Sequence, residues 1–416
     1  METELCDGMP TIVSKFTQLV KSLMEQAEQV QSPDQVRLLE QSVRDQGRSI
    51  LQSLLQQVLQ SVVDRRQESL RTCPQCASNR RHQGVRSRRL DSSLGRLVLR
   101  GIYWKCPNCF WHQHSVDCVG DEPVTLLMKD LMVLAGVSST SFDKAQIVTR
   151  HLLGVDADDE AIRHLCLKAG GGPEQSRIVV TPVSEGGELI GSCDGTMINT
   201  REDRWREVKA LRFEHAGGSY AAAYLENAAS FVPRLKKAAE RLGGIRAGRC
   251  VFVSDCAEWI TQGVREQLPS FVHVADYFHA CQHVHTAGEA VYGREHPDAR
   301  KWSGSMSRRL REQGAAKLAG RLRRLALFYA DLKDQRAVLD LCRYLDKHAA
   351  KMDYPRFERE EILIHSGLME SFCKQLGLRL KGPGMRWSVR NLSAMATLVS
   401  RWAVDPERYL NSSHAA

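Results

Sequence analysis

Apolar residues return every three or four positions across residues 11–66, where Leu, Val, Gln and Glu dominate. The clearest run is Ile50, Leu51, Leu54, Leu55, Val58, Leu59 and Val62. That period is the 3.6-residue repeat of an amphipathic helix. Ser32-Pro33-Asp34 interrupts it, and a proline suits the first turn of a helix, where its missing N–H would have no partner anyway. The pattern predicts two helices, either a hairpin packed on the body of the chain or a dimerisation arm. From residue 71 the period shortens. Two β-like runs, RRHQGVRSRRL and GRLVLRGIYWK, lie between TCPQC and CPNC. Residues 121–170 turn helical again. Ser139, Thr140 or Ser141 would cap a helix through Ile147 and Leu152. Asp158 or Asp159 would start another through Leu167, ended by Gly170-Gly171-Gly172-Pro173. Two short helices and a turn fit a helix-turn-helix, as many helix pairs do.

Beyond the glycines, alternating apolar runs dominate. They are ELIGSCDGTMI, WREVKALRF and SYAAAYL, then a helix over 229–242, the run CVFVSD, a helix over 257–267 and the run FVHVA. From 277 to about 350 the pattern is helical and basic. A helix over 366–380, the segment KGPGMRW and one more helix follow.

Composition narrows the class. The 416 residues suffice for two or three domains. With 43% hydrophobic and 26% charged residues the chain reads as globular. Its 58 basic against 49 acidic residues give a net charge of +9, which permits a polyanionic partner. No apolar stretch reaches the length of a membrane span. The start, METELCDGMP, lacks a basic n-region and an apolar h-region, which argues against secretion and for the cytoplasm. Thirteen cysteines in such a chain are expected to be reduced thiols, with any cluster a metal site.

One cluster is plain. Cys73, Cys76, Cys106 and Cys109 form two C-P-x-C pairs about thirty residues apart. Each C-x-x-C turn points two thiolates at one ion, and two such turns complete a tetrahedral Zn²⁺ site. Four protein ligands close the site, so its task is structural. The hairpin between the pairs carries Arg86, Arg88 and Arg89, with Tyr103 and Trp104 nearby. A basic ribbon of this kind is a candidate phosphate contact.

The other chemistry is carboxylate. CVFVSD buries Val251, Phe252 and Val253 and then meets Asp255, while ELIGSCD meets Asp194. The element order β-β-β-α-β-α-β is the ribonuclease H-like arrangement, in which the first and fourth strands lie side by side. Asp194 and Asp255 would then emerge together. Two packed carboxylates repel unless a cation neutralises them, and oxygen-only ligands select a hard ion such as Mg²⁺. A third carboxylate would complete a two-metal site for attack on a phosphodiester. Asp276, Glu258 and Glu370 are the candidates for it. Glu370 shares its helix with Lys374, and Arg379, Lys381 and Arg386 follow, cations expected to contact DNA phosphates, as Arg308 and Arg309 are.

With these residues in view, the chain resembles the ISKra-type insertion-sequence transposases of the D-D-E class. The resemblance rests on DGTMINTREDRWREVK at 194–209, VSDCAEWI at 253–260, VADYFHACQHV at 274–284, and MDYPR with HSGLMESFCKQLGLRLKGPGMRW at 352–387. It covers most of the chain, the double C-P-x-C included. It implies that Asp194, Asp255 and Glu370 bind Mg²⁺ or Mn²⁺, and that Asp276 and His279 form a D-x-x-H element beside the active site. Two positions depart from the pattern. Cys256 stands where Gly more often follows the second acid, and His365-Ser366-Gly367 replaces G-S-G. The activity implied is metal-dependent hydrolysis at element ends, then attack of the freed 3′-hydroxyl on target DNA. The alternatives are a catalytically inactive DNA-binding relative and a metal-dependent nuclease of the same fold.

The expected organisation follows. A helical region spans 1–70, a zinc ribbon 71–120, and a helical, helix-turn-helix-like region 121–176. An α/β, ribonuclease H-like mixed-sheet core occupies 177–276 and a large helical insertion 277–364. A helix with the third carboxylate and a basic tail fills 365–416. The insertion carries Trp302, Arg308 and Arg309, and Trp302 is either a base-stacking residue or part of a core. The expected partners are double-stranded DNA and a second copy of the chain, in a homodimer or higher oligomer, with no membrane.

Overall fold

A computed structural model describes residues 9–120, 122–171, 181–244 and 246–406. The chain divides into two compact units, one ending at Cys166 and the other starting at Leu167.

The first unit opens with α1 (Met9–Ala27) and α2 (Pro33–Ser69). Ser32 caps α2 by accepting from Gln35 N, and Pro33 takes the first position. A three-stranded antiparallel sheet follows: β1 (Arg81–Ser92), β2 (Gly95–Lys105) and β3 (His112–His114). Leu55, Leu59 and Val63 of α2 close over Leu90, Leu97, Leu99 and Val116. The glutamines of α2 have a separate role. Gln52, Gln56 and Gln60, spaced four apart, bond to Arg96 O, Val98 N, and Arg100 N and O. Over this stretch β2 would otherwise present unpaired backbone groups. Three helices come next: α3 (Leu126–Ser138), α4 (Phe142–Leu153) and α5 (Asp159–Gly171). Of the three candidate caps, Ser141 accepts from Lys144 N. The expected stop at Gly172-Pro173 lies outside the described residues.

In the second unit, β4 (Glu188–Thr200), β5 (Arg204–His215) and β6 (Gly218–Tyr224) form a meander. It is followed by α6 (Ala228–Arg241), β7 (Arg249–Ser254), α7 (Glu258–Gln267) and β8 (Val272–Ala275). The sheet order is β6-β5-β4-β7-β8. β4 is central, antiparallel to β5 and parallel to β7. One face packs Leu189, Cys193, Phe213 and Phe252 against Phe231, Leu235, Ile260 and Val264 of α6 and α7. Val251, Val253 and Val274 face the other way, into a helical layer. That layer comprises α8 (Tyr277–Tyr292), α9 (Pro297–Gln313), α10 (Ala315–Ala326), α11 (Leu332–Lys347) and α12 (Tyr354–Arg359). The last helices are α13 (Gly367–Leu380) and α14 (Val389–Val404). Among the described residues no helix is long and apolar enough to cross a membrane.

Candidate functional site: four thiols and a carboxylate pair

The four cysteines converge. Cys73 Sγ lies 3.5 Å from Cys109 Sγ, and Cys76 Sγ lies 3.4 Å from Cys106 Sγ and 3.7 Å from Cys109 Sγ. Four sulfurs each about 2.3 Å from one ion would sit roughly 3.8 Å apart, so the cluster fits Zn²⁺. Local bonds build both turns. Ala77 N donates to Cys73 O, Cys73 N to Ser78 O and Cys106 N to Trp111 O. Ala77 and Phe110, each directly after the second cysteine of its pair, have φ of 57° and 63°. Asn108 Nδ2 donates to Ser78 Oγ at 2.7 Å and ties one turn to the other. The Ser78 hydroxyl and N–H hold the Cys76 thiol down at about 6. The buried Arg80 guanidinium lies 4.8 Å over the Trp111 ring and feels the charge of Cys73 and Cys106. A positive group there offsets the excess negative charge of four thiolates around one divalent ion.

The hairpin cations are not equivalent. Arg86 stacks 4.0 Å over Tyr103 and is exposed, as is Arg89. Arg88 is held inward by Asp117 at 3.2 Å and Glu122 O at 2.8 Å. Arg86 and Arg89 are therefore the pair presented to solvent.

In the second unit the sheet register brings two acids together. The parallel ladder pairs Ser192 with Val253, and two residues further along each strand stand Asp194 and Asp255. Side chains alternate across a strand, so Asp194 faces the side of Val251 and Val253, while Asp255 stands one residue beyond the end of β7 and its charge acts on Asp194. β4 does not end at Asp194, contrary to the expectation. Its antiparallel pairing with β5 runs on to Thr200, and only the ladder to β7 stops at Ser192. Asp194 thus sits where the sheet splays. Asp194 Oδ1 accepts from Gly195 N at 2.7 Å, and Oδ2 accepts from the Cys373 thiol at 3.6 Å. Burial pushes its carboxyl above the usual range and the charge of Asp255 adds to that, against the Gly195 and Cys373 hydrogen bonds and the charge of His279. Asp255 Oδ1 accepts from Ala257 N at 2.9 Å.

Cys256, next in the chain, is buried with φ of 64°. This is the left-handed region that glycine enters freely, which explains in physical terms why Gly suits the position. Burial pushes the Cys256 thiol up to about 11.

Asp276 is 3% exposed and caps α8. Its Oδ1 accepts from His279 N at 3.0 Å, and its Oδ2 accepts from both Ser366 N and Ser366 Oγ at 2.6 Å. Its own N–H donates to Ser254 O, and Glu370 N donates to Ser366 O. A continuous set of hydrogen bonds therefore runs from the end of β7, through Asp276, to the first turn of α13. Cys373, on the same helix face as Glu370 one turn later, is the residue that touches Asp194. Sequence reasoning missed Cys373 and Ser366. The signal for Cys373 was its i+3 spacing from Glu370.

Glu370 itself is exposed and pairs with Lys374 at 2.8 Å. Among the described residues the four cysteines alone form a ready ligand cluster, so Glu370 is not drawn up to the two aspartates. His279 is half-buried in the first turn of α8, and its charge reaches Asp194. One turn on, His283 stacks on Tyr344 with ring centroids 3.9 Å apart. Burial raises the Tyr344 hydroxyl pKa, and the charges of Cys256, Asp255 and Asp276 add to the rise.

Two expected DNA contacts fall away. Arg379 is 3% exposed, with its guanidinium 5.6 Å over the Trp387 ring. It follows Phe372 and Leu376 along the inner face of α13 and does not reach the surface. Trp302 packs with Tyr292 against the helical core and interacts with the Tyr329 hydroxyl, which is the core reading of that residue. Arg308, Lys374, Lys381 and Arg386 are exposed, and Arg309 is half-buried.

No family model matches the chain, and no curated protein does. Among solved structures, the chain is similar to one described as "Drosophila P element transposase strand transfer complex". The identity is 7% and the TM-score 0.35, with 67% of this chain and 92% of that chain covered. A likeness that low leaves the fold to be read from the chain's own strand order.

Proposed function

We propose that the second unit is a ribonuclease H-like core and that the chain is an insertion-sequence DNA transposase of the D-D-E class. One observation carries the proposal: β4 and β7 pair in parallel, and their last paired residues, Ser192 and Val253, each lie two positions before an aspartate. The strand order and the resemblance to the ISKra-type transposases support the same reading.

The residues fit a divalent metal. Asp194 and Asp255 offer hard oxygen donors, and among the described residues neither carboxylate forms an ion pair. Asp194, Asp255 and Glu370 would hold Mg²⁺ or Mn²⁺. Such ions supply charge stabilisation to the attacking and leaving oxygens of an in-line phosphodiester displacement. Burial, with the charge of Asp255 behind it, disfavours the Asp194 carboxylate, and a cation held there would offset that cost. Glu370, paired with Lys374 at 2.8 Å, would have to exchange that partner to hold the ion, which would leave the Lys374 ammonium for a DNA phosphate. Asp276, with both oxygens committed to α8 and Ser366, acts as the positioning residue for the Glu370 helix. His279, whose charge acts on Asp194, would orient the substrate phosphate. The reaction is hydrolysis at element ends followed by attack of the 3′-hydroxyl on target DNA. Paired cleavage of two ends calls for a homodimer or higher oligomer. The zinc ribbon contributes Arg86 and Arg89 as phosphate contacts.

The Glu370–Lys374 pair favours a second reading, an inactive DNA-binding relative in which the third acid stays occupied. Strand cleavage and joining separate the two. A labelled duplex from the ends flanking this gene, with Mg²⁺, is given to wild type, Asp255→Asn and Glu370→Gln. The transposase reading expects metal-dependent cleavage that falls at least about 10³-fold in both variants while DNA binding persists. Binding without cleavage by wild type would establish the inactive relative.

A further inference from the structure

The three most exposed large apolar side chains among the described residues share one place. Phe328 is 86% exposed, Leu332 79% and Leu327 76%, all at the tip between α10 and α11. Leu318, Leu322 and Ala326 bury the inner face of α10. Its outer face carries Lys317, Arg321 and Arg324, all exposed. These are spaced four and three apart, so they form one stripe, and Phe328 four residues on continues it. No acidic residue occurs between Gln313 and Ala330, while four basic ones do. Across the turn, Leu332, Arg336, Leu339 and Arg343 line a groove of about 460 Å³ with Arg323 and Cys342. Its floor is apolar. On its rim Arg323 pairs with Asp346 and Arg343 with Asp340, Asp331 and Asp334 flank Leu332, and the exposed Arg336 adds to the basic stripe of α10.

Charge selects the occupant. A second copy of a chain with net charge +9 would meet this basic face with like charge. A duplex offers phosphates to the stripe and base steps to an apolar tip. We propose that the α10–α11 tip is a wedge for duplex DNA. Phe328 with Leu327 and Leu332 enters between base steps, and Arg321, Arg324 and Arg336 hold the flanking phosphates. The proposal rests on the DNA-processing reading above.

Binding of the full chain to two duplexes tests this. One is perfectly paired; the other carries a central two-nucleotide mismatch next to 2-aminopurine. A wedge favours the mismatched duplex, where unstacking costs least, by about tenfold, and brightens the probe. Phe328→Ser should cut that preference below about twofold while leaving perfect-duplex affinity near wild type. Arg321→Glu with Arg324→Glu should weaken both duplexes alike and lower the salt slope by about 2. An unchanged preference in Phe328→Ser overturns the wedge alone. So does a drop in the sedimenting mass of the free protein in that variant, which would make the tip a self-contact. Wild type that binds neither duplex overturns the wedge and the DNA reading together.

Discussion

The two candidate metal sites differ in how they are made. The four thiols belong to two turns of one short hairpin, each turn closed by its own backbone bonds, and their sulfurs stand 3.4–3.7 Å apart in the metal-free fold. The acids come from β4, from the end of β7 and from α13. Two of the three follow the paired segment of neighbouring strands, and the third is paired with Lys374. A site built by local turns is complete before its ion arrives. A site assembled across the sheet depends on distant segments meeting.

The largest effect that sharpens this contrast should fall on the thiols. Cys106→Ser should take zinc content from one per chain to none and unfold the first-unit hairpin, since structural zinc contributes on the order of 10 kcal/mol. Asp255→Asn should leave one zinc per chain, by elemental analysis. A zinc-free Cys106→Ser hairpin with wild-type near-ultraviolet dichroism would erase the distinction.

Next comes Asp276, which ties α13 to the sheet. An amide cannot accept all three bonds that Asp276 accepts, so Asp276→Asn should cost about 3 kcal/mol by urea midpoint. It should also speed proteolysis near Ser366. A cost below about 1 kcal/mol would mean that the Glu370 helix is held by other contacts.

The pH dependence follows from His273. Burial depresses its pKa from 6.5 to about 3. Ser254 Oγ accepts from Cys256 N and lies 2.9 Å from His273 Nε2, an arrangement served by a neutral ring. The folded state therefore binds fewer protons than the unfolded chain below pH 6.5. Stability is full above that value and falls as pH drops toward the folded pKa, by about 2 kcal/mol between pH 7 and pH 5. Burial also lowers His348 to about 4, so it adds a share of the same sign; His273→Asn should remove its own share of the slope in urea titrations, and an unchanged slope would assign all of it elsewhere.

The smallest effect is at Cys256. Gly relieves the positive φ but loses a buried sulfur, so Cys256→Gly should change stability by about 1 kcal/mol or less. Cys256→Val forces a β-branched residue into the same backbone and should cost about 2 kcal/mol more. Thermal melts that rank Val above Gly would contradict the strain.

What the sequence made legible follows the same line. The helix break at Ser32-Pro33 and the thiol cluster are encoded within a few residues, and both stand where the pattern puts them. The pairing of β4 with β7 was legible through the order of strands and helices, because that order decides which strands are neighbours. Arg379 was misread as a surface cation, although Phe372, Leu376 and Arg379 at four- and three-residue spacing already place it on the inner face of α13. Trp302 belongs beside Ala299, Ser303 and Met306 on the buried side of α9 for the same reason. The left-handed backbone at Cys256 and the bond from Asp276 to Ser366 had no local signal. They arise only when distant segments meet.

The most direct test is Mn²⁺ binding by electron paramagnetic resonance, with the full chain and duplex DNA. The account predicts saturable Mn²⁺ binding in wild type, at least about tenfold weaker in both Asp194→Asn and Asp255→Asn, with zinc unchanged. Equal Mn²⁺ binding by wild type and both variants would contradict it.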